Sequence, residues 1–150
     1  AELLEAQCAQ GNIGDAGQVL GTILWRANEL VDWYSLPETA DSSIFPTAAY
    51  LVGVKRSAVS LDWAVQQLDK YWQTEEIYLL KVEVEGAEPE VLAGATNLLR
   101  RCKYVAIDAG PERGVGKEST EEVVSSLMSQ SGFRLIDAGN PRRTLLFAMS

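Results

Sequence analysis

Between residues 77 and 110 the chain reads IYLLKVEV, then EGA, then EPEVLAGATNLLRRC, then KYVAIDAG. An apolar run, a glycine, a helical repeat and a second apolar run, in that order, leave few ways to fold. Two strands joined through a helix pair in parallel, because the crossover returns the chain to the end of the sheet where the first strand began. The continuously apolar first half of IYLLKVEV predicts a strand buried on both faces. EPEVLAGATNLLRRC is predicted as one helix. Pro89 suits its first turn, Glu88 and Glu90 lie near the positive end, and Arg100 and Arg101 lie near the negative end. Val91, Leu92, Ala95, Leu98, Leu99 and Cys102 then form one apolar stripe facing a sheet.

The rest of the chain extends this unit. Residues 1–10 have helix-forming composition with Leu3, Leu4 and Cys8 on one face, and they end at Gly11. QVLGTILW reads as a strand, SLPETADSSIFPTAAY as a surface loop and AYLVGVKR as a second strand. SLDWAVQQLDKYW has helical spacing at Leu61, Ala64, Val65 and Leu68. After KYVAIDAG, PERGVGKES is a loop, and a capping box from Ser119 to Glu122 opens a helix with Val123, Val124, Leu127 and Met128 on its apolar face, ended by Gly132. FRLIDAG and RTLLFAMS, joined by NPRR, are antiparallel neighbours. The fold class is therefore α/β, with parallel strands and a C-terminal antiparallel pair.

Length and composition bound the function. The 150 residues suit one domain, and 47% hydrophobic content fills a single core. A net charge of -8 opposes nucleic acid and anionic membranes; Arg100, Arg101 and Lys103, and again Arg142 and Arg143, gather only where a helix end or turn also places them. No apolar run reaches the length of a membrane span. Cys8 and Cys102 form no metal-binding pair, so a reducing, cytoplasmic setting is expected. The chain has no histidine, so any acid–base chemistry falls to carboxylates, Lys, Tyr or Ser.

Alternation puts Lys81, Glu83 and Glu85 on one face at the carboxyl end of a parallel strand, where open α/β sheets place ligands. Gly86 then permits a tight turn. Those charges either form a site or merely solvate the end of a strand. Asp108, ending KYVAID, meets the same alternatives. GNIGDAG follows a helix and precedes a strand, so it reads as a plain turn rather than a nucleotide loop, with Asp15 its one residue of interest. Glu112 and Arg113 pair with each other or face a ligand. Trp25, Trp33, Trp63 and Trp72 are read as core or loop anchors.

LLKVEVEGAEPEVLAGA, with YVAIDAGPERG, EST, GFRLI and RRTLLF after it, resembles the second half of the FkbM family of S-adenosylmethionine-dependent methyltransferases. Lys81, Glu85, Gly86, Ala87, Glu88, Val91, Leu92, Gly94 and Ala95 match the family's core phrase, and Glu83 stands where the family usually shows Asp. NIGDAG, ADSSIF and SLDWAV are similar to its earlier motifs, so the likeness covers roughly residues 12–148. It implies the second half of a Rossmann-like class I methyltransferase fold, spanning residues 1–150 as a single, partial domain. The implied reaction is methyl transfer from S-adenosylmethionine to a hydroxyl on a small-molecule or glycan acceptor: a sugar, glycolipid or polyketide-like compound. On this resemblance Glu83 or Glu85 is the base and Lys81 tunes it. Asp15 contacts the cofactor's adenine, and Glu88, Asp108 and Arg113 face the acceptor. The family's glycine-rich cofactor loop and the acid ending its second strand are not visible, so residues 1–150 alone are expected to bind the cofactor weakly. A non-catalytic module of the same fold, binding a partner through a sheet edge, is the alternative; a carboxylate–magnesium enzyme is a third.

Overall fold

The computed structural model describes residues 20–35, 42–47, 52–68, 73–138 and 144–150. The expected helix of residues 1–10, the GNIGDAG turn with Asp15, Trp72 and the NPRR connection lie outside the described residues.

Among the described residues the strands form two four-stranded sheets and a hairpin. In the first sheet β1 (Ile23–Trp25) pairs in parallel with β4 (Val54–Ser60). β4 also pairs antiparallel with β2 (Glu29–Ser35), and β2 pairs with the two-residue β3 (Ser42–Ser43). β2 and β3 were not expected from the sequence. In β2, Val31 is buried while Leu30 is 66% exposed, so its pattern is set by a thin one-sided core rather than by a run of apolar residues. Among the described residues of QVLGTILW the strand covers Ile23–Trp25, and among those of AYLVGVKR it begins at Val54.

Ser60 starts α1 (Leu61–Val65), its hydroxyl accepting from the Trp63 N–H at 3.2 Å. The second sheet runs β5 (Ile77–Val82), β6 (Cys102–Asp108), β10 (Thr144–Met149), β9 (Phe133–Asp137). β5 and β6 are parallel, as the crossover demands, and β10 is antiparallel to both of its neighbours. β5 is not buried on both faces: among the described residues it is the edge of its sheet, with Tyr78 68% and Leu79 50% exposed.

The single helix expected over residues 88–102 is two: α2 (Glu88–Ala93) and α3 (Thr96–Leu99). Gly94 marks the break. A Cβ there would sit 2.4 Å from the Trp25 carbonyl oxygen, so the glycine lets the end of β1 lie directly on the helix junction. The apolar stripe survives the break: Val91, Leu92, Ala95, Leu98 and Leu99 are all buried in the main core with Val105, Ile107, Leu145 and Phe147. Cys102 joins them as the first residue of β6 rather than as part of a helix.

PERGVGKES is no open loop; it forms the hairpin of β7 (Pro111–Arg113) and β8 (Glu118–Ser119). α4 (Glu121–Gln130) follows, and its N-cap is Thr120, one residue beyond the expected Ser119. Ser119 still accepts from the Glu121 N–H at 3.3 Å, but the Thr120 side chain is directed elsewhere. Val124 and Met128 form the buried face of α4, while Val123 is 51% exposed.

Candidate functional site

β5 loses its ladder after Val82, and the chain turns through Glu83–Gly86 at the carboxyl end of the sheet. Glu85 has φ 51° and Gly86 φ 92°. A glutamate in the left-handed region is uncommon and costs about 1–2 kcal/mol, so the surroundings must hold it. They do so through one local group, Glu88, and two from distant parts of the chain, Ser43 and Arg113. Glu88 is 1% exposed, and its Oε1 accepts from the Gly86 N–H at 3.0 Å and, more distantly, from the Val84 N–H at 3.4 Å. Its Oε2 accepts from the Thr120 hydroxyl at 2.9 Å, tying the turn to the start of α4. Ser43, 2% exposed, donates to the Glu85 carbonyl at 3.1 Å and accepts from the Phe45 N–H at 3.1 Å. Arg113 donates to the Gly86 carbonyl at 3.3 Å.

Arg113 is itself fixed. It makes a two-pronged ion pair with Glu90, at 2.9 and 2.6 Å, and its guanidinium lies 4.0 Å from the Phe45 ring centroid. The expected pairing with Glu112 is replaced by this one. The backbone of Arg113 also comes so close that a Cβ on Gly86 would lie 2.7 Å from its Cα. Gly86 therefore answers to both the turn and the close approach.

The turn opens on a cavity of about 400 Å³, within the usual range of small-molecule sites. Glu83 and Glu85 line it with their acidic side chains, and Ile23, Leu24, Trp33 and Ile44 give it an apolar lining. Trp33 thus faces a cavity rather than acting only as an anchor. Lys81 is ion-paired with Glu83, both side chains being largely exposed. Strand alternation accounts for Lys81, since β5 is regular to Val82, but it does not place Glu85, whose position is set by the turn.

The acids gather beyond the cavity as well. Asp108 ends β6, beside β5 in the sheet. Glu112, on the hairpin, has its carboxyl pushed up to about 7, first by burial and then by the negative charges of Glu85, Asp108, Glu88 and Glu83. Sequence reasoning passed over Glu112 as a surface partner of Arg113; only the packing of β7 beside the turn reveals it. Of the other expected site residues, Glu88 and Arg113 are brought to the turn, where they bond to its backbone, and Asp15 lies outside the described residues. Among those residues no group of three metal-ligating side chains is assembled.

The residues that form this strained turn and line its cavity fall within a known family: the model of the methyltransferase FkbM domain matches residues 20–135. The chain belongs to the FkbM methyltransferase family. Neither the curated proteins nor the solved structures offer a match to this FkbM chain. The match spans the whole of the cavity lining and every support of the turn, from Thr22 to Thr120. Among the described residues of this FkbM domain no helix is long and apolar enough to cross a membrane.

Proposed function

We propose that this FkbM-family chain serves methyl transfer from S-adenosylmethionine to a hydroxyl of a sugar, glycolipid or polyketide-like acceptor, in the cytoplasm. The fold is read as the second half of a Rossmann-like class I methyltransferase. The observation that carries the proposal is Glu85, held at positive φ by Ser43, Glu88 and Arg113 on the rim of the cavity. Strain maintained by three separate supports indicates a group whose placement matters to function.

The donor set suits the cofactor. Two carboxylates attract a cation, and a tryptophan with aliphatic neighbours accepts a flat, weakly polar body. When bound, S-adenosylmethionine supplies the electrophilic methyl group. The chain's own residues then have two tasks: to hold an acceptor hydroxyl in line, and to receive its proton. Glu85 is the proton acceptor in this reading. Glu83, ion-paired with Lys81, lends negative charge beside it. Glu112, with its raised carboxyl, takes or relays the proton near neutral pH. Asp108 and the cavity's apolar wall orient the acceptor. Glu88 and Arg113 act through the turn, as positioning residues.

Transfer of radiolabelled methyl to a panel of hydroxyl acceptors tests this. The Glu85→Gln variant is expected to fold normally and to lose transfer by about 10²-fold or more. Unchanged transfer would remove Glu85 from the chemistry.

A second reading is a non-catalytic module of the same fold. It draws support from β5, whose edge position leaves Tyr78 and Leu79 exposed for pairing with another chain. Titration calorimetry of this chain with S-adenosylmethionine separates the two: saturable binding favours the enzyme, and no heat favours the module.

A further inference from the structure

We infer that Thr120 is a positioning residue for the proposed transfer, holding the Glu85 turn in place through the carboxyl group of Glu88; the inference rests on the reading of Glu85 as the proton acceptor. Thr120 is 2% exposed and precedes α4 as its N-cap. A threonine in this position ordinarily accepts a hydrogen bond from the first turn of its own helix. Here its side chain makes no such bond. That work falls to Ser119, whose hydroxyl accepts from the Glu121 N–H, and the Thr120 hydroxyl donates to Glu88 Oε2 at 2.9 Å.

This bond sets where the other carboxyl oxygen points. The terminal torsion of a glutamate is broad, so a single bond would leave it loosely set. The two oxygens turn together, and fixing Oε2 on Thr120 fixes Oε1 on the Gly86 N–H, 3.0 Å away. Glu88 is 1% exposed, so bulk water does not compete for either oxygen. The peptide unit between Glu85 and Gly86 is thereby held at both of its polar atoms: Ser43 donates to its carbonyl, and Glu88 accepts from its N–H. The tilt of that unit carries Glu85, at φ 51°, with it.

The hairpin grips the next group as well. Arg113 ends β7 and Thr120 directly follows β8, so both ends of one hairpin reach the same glycine. Arg113 donates to the Gly86 carbonyl, and Thr120 reaches the Gly86 N–H through Glu88. Burial alone would be met by apolar side chains at positions 88 and 120. A carboxyl and a hydroxyl there serve the backbone of the turn.

Amide NMR and methyl transfer by the full chain test the role. Thr120→Val keeps the shape of the side chain and removes its hydroxyl. The Gly86 amide of this variant is expected to exchange with solvent about tenfold faster. Its kcat for radiolabelled methyl transfer to the acceptor panel is expected to fall about tenfold, with the KM for S-adenosylmethionine kept within about twofold. Thr120→Ser, which restores the hydroxyl, is expected to recover both. Asp62→Ala serves as the control for stability: it removes bonds to the Asn97 and Leu98 N–H groups of α3, not to the turn, and is expected to keep the parent kcat. A parent-like kcat in Thr120→Val, or an equal loss in Asp62→Ala, overturns the inference alone. A parent chain that transfers no methyl overturns the functional reading, and this role with it.

Discussion

Gly86 carries two requirements in one residue, and neither is visible in the other's terms. Its φ of 92° excludes most side chains on conformational grounds, and the Arg113 backbone excludes a Cβ by volume. Gly86→Ala is expected to cost about 2–4 kcal/mol, strain and overpacking together, read as a lower urea midpoint at unchanged slope. An alanine variant as stable as the parent would mean that the turn relaxes freely. Glu112 bears the opposite kind of cost. Its carboxyl titrates at about 7 in the fold against an ordinary 4.5. Between those values the folded chain keeps a proton that the unfolded chain has released. Its effect on stability is therefore most favourable below pH 4.5 and declines as pH rises through 7. Side-chain carboxyl NMR is expected to show this midpoint near neutrality, and to show it lowered in Glu85→Gln, since Glu85 is the strongest of the charges acting on it. A Glu112 that titrates in the ordinary carboxylate range would separate it from the acid cluster.

At the scale of elements, the short helix α3 survives because another helix caps it. Ala95 precedes it and supplies no side-chain cap. Asp62 of α1 does so instead, its two oxygens accepting from the Asn97 and Leu98 N–H groups at 2.9 and 2.8 Å. Asp62→Ala is expected to destabilise the fold by about 1–2 kcal/mol, with hydrogen exchange at residues 97 and 98 rising first; exchange that stays slow there would deny Asp62 the capping role. This cap also shows what a sequence can and cannot disclose. The LLKVEVEGAEPEVLAGA phrase made the β5–helix–β6 unit and its apolar stripe legible, because periodicity records burial along one element. The break at Gly94 was not legible, since its cause is the Trp25 carbonyl, far away in sequence. β2 and β3 were hidden for a related reason: their pairing compensates for weak burial, and pairing leaves no local pattern. In the site, Lys81, Glu83 and Glu85 were legible as a charged strand end. The role of Glu88 was not, because nothing local to it signals that it is 1% exposed and bonded to Thr120.

At the scale of the whole molecule, charge is divided along the second sheet. Glu83, Glu85, Asp108 and Glu112 gather past the carboxyl ends of its parallel strands, and Arg100, Arg101 and Lys103 stand at their amino ends. This division bears on which large partners the chain accepts. A duplex of nucleic acid needs several phosphate contacts along a continuous track, each releasing a counterion, to bind at physiological salt. Here the basic end offers three cations across one cavity, and the chain as a whole carries -8. Beyond about 8–10 Å screening removes the benefit of the basic end, and within that distance a long polyanion also meets the acidic remainder of the surface. Fluorescence anisotropy of a labelled duplex or single strand is therefore expected to stay flat up to about 10 µM protein at 0.15 M salt, the range in which weak non-specific binders respond. Saturable binding that weakens steeply as salt rises would contradict this and would make the Arg100–Lys103 cavity part of a longer track.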